Sequence, residues 1–245
     1  MTDNANPVDT QPTDKTAKKR RSPGDIDQDI LDAIAAGKKI LGSAMSDHYN
    51  AALTKRVKPE KIAALGTALL TIADQPDGNL VAQVINNHNA IKSATKTEQD
   101  LGKQLFAKLR AIQKGAGNTY KQDQARRDAY LINKPDFGKD RETFEADAAA
   151  IIGLARNDTL DNIIAADLDE AQTLLDNWKQ ADADQKTAQR VAGETLAALR
   201  TAATAMTAIV TTIRVGADVV FDYHDKNNAT ARSAFNLQPD RPMQT

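Results

Sequence analysis

Residues Thr195–His224 read TLAALRTAATAMTAIVTTIRVGADVVFDYH. Leu196, Leu199, Ala203, Met206, Val210, Ile213, Ala217 and Val220 follow one another in steps of three and four, and His224 continues the series. That is the a/d spacing of a helical seam, held over about four heptads. Burying such a seam stabilises by about 1.5–3 kcal/mol per large apolar side chain. The alanines within it let a neighbouring helix come close. Two readings follow: a packing seam inside the chain's own helical fold, or an association seam offered to a second helix.

Outward from this stretch the chain keeps the same character. Prolines stand at 7, 12, 23, 59, 76, 135, 239 and 242, so none interrupts the span between Pro135 and Pro239. Proline breaks helix interiors but is tolerated in a first turn. Aromatic residues are 4% of the 245 residues, whereas alanine occurs 42 times. Close-packed helices suit that composition, and no window alternates β-branched residues with period two. The expected fold is therefore all-α with no sheet: an antiparallel helical bundle of about six helical segments.

Asp25 or Asp27 is placed to cap a first helix that carries Ile26, Ile30, Ile34, Gly37, Leu41, Ala44 and His48. A second starts around Pro59 with Ile62, Leu65, Leu69 and Ile72, and Gln75-Pro76-Asp77-Gly78-Asn79 is a turn signal. A third carries Val81, Val84, His88 and Ile91, then Leu101, Leu105, Leu109 and Ile112. Gly115 and Gly117 are read as its end.

A duplication organises these segments. Ile40–Leu53 (ILGSAMSDHYNAAL) aligns with Ile151–Ile164 (IIGLARNDTLDNII), with identities at Ile40/Ile151, Gly42/Gly153, Ala44/Ala155 and Asp47/Asp158. Ile62, Leu65, Leu69 and Ile72 then align with Leu168, Ala171, Leu175 and Trp178. The expected organisation is two pseudo-repeated units packed as one domain, unit 1 over 25–117 and unit 2 over 139–226. A connector spans 118–138. A polar, basic, disordered tail covers 1–24 and an irregular tail covers 227–245.

Net charge is −1, but residues 1–141 hold 23 basic and 17 acidic side chains, and residues 142–245 hold 9 and 16. Opposite fields attract, either within one molecule or head to tail between molecules. No cysteine is present, which excludes disulfides, cysteine-ligated metal sites and a cysteine nucleophile. The N-terminus lacks the basic-then-apolar order of a secretory signal. No run approaches the eighteen or more apolar residues of a membrane span, the nearest being Thr201–Ile213. A soluble cytoplasmic protein with no membrane span is expected.

Few residues invite chemistry. His48, His88 and His224 lie on apolar stripes near helix ends, without a Glu-x-x-His or His-x-x-x-His pair. They are expected as half-buried, hydrogen-bonded side chains. A helical-bundle metalloenzyme built on one of them is the competing reading. The run DIDQDILDAIAAG from Asp25 fails as a calcium loop, with Ile30 at the glycine position and Ala36 at the glutamate position. Gly115-Ala116-Gly117 lacks the third glycine of a dinucleotide fingerprint. Lys15, Lys18, Lys19, Arg20 and Arg21 form a candidate polyanion-binding cluster for nucleic acid or an anionic surface, although no aromatic residue is interleaved. The sequence thus points to a non-enzymatic structural or protein-interaction molecule that needs no cofactor and no metal and has a protein partner or self-association. A polyanion-binding adaptor working through the tail is the alternative.

Overall fold

The computed structural model describes residues 26–134, 137 and 140–238. Among these the chain is all-helical. Helix α1 (Gln28–Met45) breaks at Ser46, and the short α2 (Asp47–Leu53) follows. Pro59 opens α3 (Pro59–Leu69), where its missing N–H costs nothing, and α3 loosens into a π turn over Leu70–Asp74. Gly78 takes φ 79°, and Asn79 then caps α4 (Leu80–Thr119) by accepting from the Ala82 N–H at 2.8 Å. Helix α5 spans Gln124–Ala129 and α6 spans Arg141–Asn157. Uninterrupted by proline, α7 runs from Ala165 to Val220, and a short α8 (Ala229–Ala234) closes the described chain.

At 1.5 Å per residue, α4 is about 60 Å long and α7 about 84 Å. The two run antiparallel. Asn87 donates to Thr195 at 2.9 Å, Gln185 to Thr95 at 2.7 Å, and Lys108 pairs with Glu170 at 2.5 Å, so partners descend on one helix as they rise on the other.

Two separate apolar cores sit along this pair. The first gathers Ile34, Ile40 and Ala44 of α1, Leu65, Leu69 and Ile72, Val84 of α4, and Leu199–Phe221 of α7, with Phe235 beside α8. The second gathers Leu105, Leu109, Ile112 and Ala116 of α4, Tyr130, Ile151, Ile152 and Ala155 of α6, and Leu168–Trp178 of α7. Between them the α4–α7 contact turns polar, through Thr95, Glu98 and Gln185.

Several local expectations need correcting. Gly115 does not stop the third helix, which continues to Thr119. A Cβ there would stand 2.7 Å from Ile163 Cγ1 and 2.9 Å from the Asp161 carbonyl oxygen, so the glycine serves close approach instead. The stretch expected to connect the two units contains α5 and the fully buried Tyr130. Gln113 draws it in by donating to the carbonyl oxygens of Tyr130 and Leu131, both at 2.9 Å. Of the stretch 227–245, expected to be irregular, the described residues 227–238 include the end of a 3₁₀ turn (Lys226–Asn228) and α8. Phe235 is buried there, stacked on Phe221 at 5.6 Å and edge-on to Tyr49. Asp27 holds the cap position of α1, but its carboxylate goes to Arg200 at 3.0 Å rather than to backbone.

Three ion pairs, Lys108–Glu170, Arg126–Asp158 and Lys134–Asp147, link the basic first part of the chain to the acidic second part.

Helix α7 is long and apolar enough, by length and composition, to cross a membrane.

Candidate functional site

The predicted seam lies inside the chain. Leu199, Ala203, Met206, Val210, Ile213 and Ala217 are buried in the first core, and Leu196 and Val220 pack at its margin. The face of α7 that turns outward is a different series: Thr201, Ala205, Ala208, Thr212, Val215 and Val219, all exposed. Val215 and Val219 are 61% and 60% exposed. No charged residue stands between Arg200 and Arg214.

The histidines do not converge. His48 and His224 are exposed, not half-buried as expected, and only His88 is partly covered. His48 meets the edge of Tyr49. The backbone N–H and ring of His224 hold the Asp222 carboxyl below its ordinary range. Among the described residues no group of three His, Asp or Glu side chains is placed to hold a metal ion. Lys15, Lys18, Lys19, Arg20 and Arg21 lie outside the described residues.

Three polar clusters were not foreseen. In the first, Arg141 at the start of α6 bonds Glu98 and Gln185, each at 2.8 Å, and also Asp182, tying α6 to both long helices. In the second, Asp158 accepts from the Tyr130 hydroxyl at 2.9 Å and from Arg126 at 3.2 Å. Burial, reinforced by the bond to Asp158, pushes the Tyr130 phenol well above its ordinary value. In the third, Arg232 is buried and donates to the carbonyl oxygens of Phe221 at 2.6 Å and Gln238 at 3.0 Å, with Asp218 at 2.8 Å. Each of these is a fastening between segments: α6, the α5 region and α8.

Beside Glu98 a cleft opens over α4, lined by Glu98, Gln99, Gly102, Lys103 and Phe106 together with Trp178 of α7. Phe144 meets Trp178 edge-on at 5.2 Å. The sequence did carry a signal here. Gly102 lies inside an otherwise helical stretch, where glycine costs about 1 kcal/mol relative to alanine, so its presence marks a close approach. A Cβ at Gly102 would lie 3.2 Å from the Trp178 indole nitrogen.

No family model, curated protein or solved structure matches this chain.

Proposed function

We propose that this chain is a non-enzymatic structural or protein-interaction protein that works in the cytoplasm through its long helices. The observation that carries the reading is the outward face of α7. It repeats every seven residues, is free of charge from Thr201 to Ile213, and ends in the exposed Val215 and Val219. A contiguous uncharged face on a chain that is 27% charged is the kind of surface that marks contact with another macromolecule.

In this reading the molecule is an antiparallel bundle made from two pseudo-repeated units. Burial at the aligned positions supports that. Ile40 and Ala44 are buried, as are Ile151 and Ala155, and Gly42 and Gly153 both face open space. Ile62, Leu65, Leu69 and Ile72 are buried, as are Leu168, Ala171, Leu175 and Trp178. Each helical pair leans on the closing helix of the other unit: α1 with α3 on the C-terminal half of α7, and α6 with the start of α7 on the C-terminal half of α4.

The test is mass measurement by light scattering over a concentration series, alongside cross-linking in the source cells, for the native chain and a Val215→Glu/Val219→Glu double variant. Concentration-dependent association or a captured protein partner, lost in the double variant with the helix content unchanged, is expected. A strictly monomeric chain with no cross-linked partner would leave the proposal without content.

A further inference from the structure

Three cations converge where the chain turns at Asn236, just after α8. Lys39 of α1 donates to the Asn236 side-chain oxygen at 2.5 Å. Arg214 of α7 donates through Nη2 to the Asn236 carbonyl oxygen, also at 2.5 Å. Arg232 of α8 donates to the Gln238 carbonyl oxygen at 3.0 Å. Between α7 and this turn lies a cavity of about 320 Å³, walled by Thr211, Arg214, Val215, Asp218, Arg232 and Leu237. Arg232 is 4% exposed and is fixed from behind by the Phe221 carbonyl oxygen at 2.6 Å, so this side of the wall is rigid.

The acids do not match the cations. Asp218 pairs with Arg232 at 2.8 Å. Asp222, which also feels the charge of Arg232, is held by the backbone N–H and ring of His224. Among the described residues no carboxylate lies within ion-pair distance of Lys39 or Arg214, and both are set against neutral oxygens of one residue. The two unmatched charges therefore stand at one place. Arg214 also carries the one buried side-chain nitrogen or oxygen without a hydrogen-bond partner among the described residues, its Nε. A guanidinium has five N–H donors in a planar fork, and a donor buried unpaired loses its hydration without return.

We propose that this cavity binds the dianionic phosphate group of a small phosphomonoester. Two cations without carboxylates supply the matching charge; a monocarboxylate would leave one of them unmatched. Bonds from guanidinium to phosphate are charge-assisted and stronger than those to a neutral carbonyl oxygen. On binding, the Arg214 guanidinium turns toward the cavity, and its Nε–H gains the acceptor it lacks. The Asn236 oxygens it shares with Lys39 are at an exposed site and return to water. Lys39 adds a point charge at the rim. Val215 and Leu237 give the organic part of the ester an apolar wall.

Isothermal titration calorimetry of the full chain tests this, with inorganic phosphate, phenyl phosphate and acetate at constant ionic strength and a pH of about 8, where the phosphates are dianionic. Saturable binding of both phosphates is expected, tighter for phenyl phosphate, with acetate weaker than either. Arg214→Gln is expected to weaken phosphate binding about tenfold or more, as for loss of hydrogen bonds to a charged group. Arg214→Lys, which keeps the charge without the fork, is expected to fall between that variant and the native chain. Lys39→Gln, at an exposed position that does not threaten the fold, is expected to weaken binding about threefold. Lys38→Gln, whose lysine is already paired with Asp74, is expected to leave it unchanged. No saturable heat with either phosphate overturns the proposal. So does acetate binding as tightly as phosphate, or phosphate binding that survives both Arg214→Gln and Lys39→Gln undiminished. Binding abolished by the combined change of Lys19, Arg20 and Arg21 to glutamine also overturns it, because that places the phosphate on the N-terminal cluster.

Discussion

Val210 and Val215 are five residues apart on one helix, and glutamate at each should have opposite consequences. Val210 is 7% exposed, inside a core of Ile, Leu, Met and Phe side chains. Replacing it forfeits about 1.5–2 kcal/mol of apolar burial. The new carboxylate must then remain charged in an apolar site or take up a proton, which adds a further penalty of about 2–3 kcal/mol or more. The sum, about 4 kcal/mol or more, is a large share of the 5–15 kcal/mol that typically holds a domain together. Val215 is 61% exposed, so Val215→Glu should change stability by about 0.5 kcal/mol or less. Urea denaturation followed by helical circular dichroism measures both. The expected result is a much lower midpoint for Val210→Glu, or a chain already unfolded in buffer, beside a midpoint near native for Val215→Glu. Equal midpoints would refute the assignment of the seam to the interior. The comparison also bears on function, because a charge at Val210 tests folding whereas a charge at Val215 tests association.

The glycines allow a second contrast: Gly115→Ala should destabilise by about 1–3 kcal/mol, because its methyl group would press on Ile163 and the Asp161 carbonyl oxygen, whereas Gly153→Ala, exposed on α6 with open space around it, should stabilise by about 0.5–1 kcal/mol in the same denaturation assay. Tyr130 sets a pH dependence: its phenol is raised above 10.0 in the folded chain, so its contribution is complete below pH 10 and is lost as pH climbs beyond that, and a Tyr130→Phe variant should show a shallower alkaline fall in melting temperature than the native chain.

The all-helical class was legible because helical periodicity is a local property. Leu196 to Val220 declare a buried stripe through their spacing alone, and Pro59 and the Gln75–Asn79 turn mark boundaries through backbone chemistry that needs no tertiary context. What covers the stripe was not legible. The same three-and-four pattern fits the chain's own α1 and α3 or a second molecule, and only long-range packing separates these. Gly115 was misread for the same reason: a glycine that ends a helix and one that admits a neighbouring backbone look identical in sequence, and the neighbour here is Ile163, far along the chain. His48 and His224 fell on apolar stripes, yet both are exposed; the stripe continues past the core that would have covered them. The cleft was hidden because Glu98 sits in a polar stretch that gives no hint of burial. In the fold it is buried, and Arg141 of α6, far along the chain, is its partner.

The crossed packing of the long helices has a consequence for how the chain holds together when cut. A break near residue 139 separates α1–α5 from α6–α8. The first piece keeps α1 and α3 but loses the half of α7 that completes their core, and the second keeps α6 but loses the half of α4 that completes its own. Neither piece contains a finished interior, so the two are mutual templates, and order in either depends on the presence of the other.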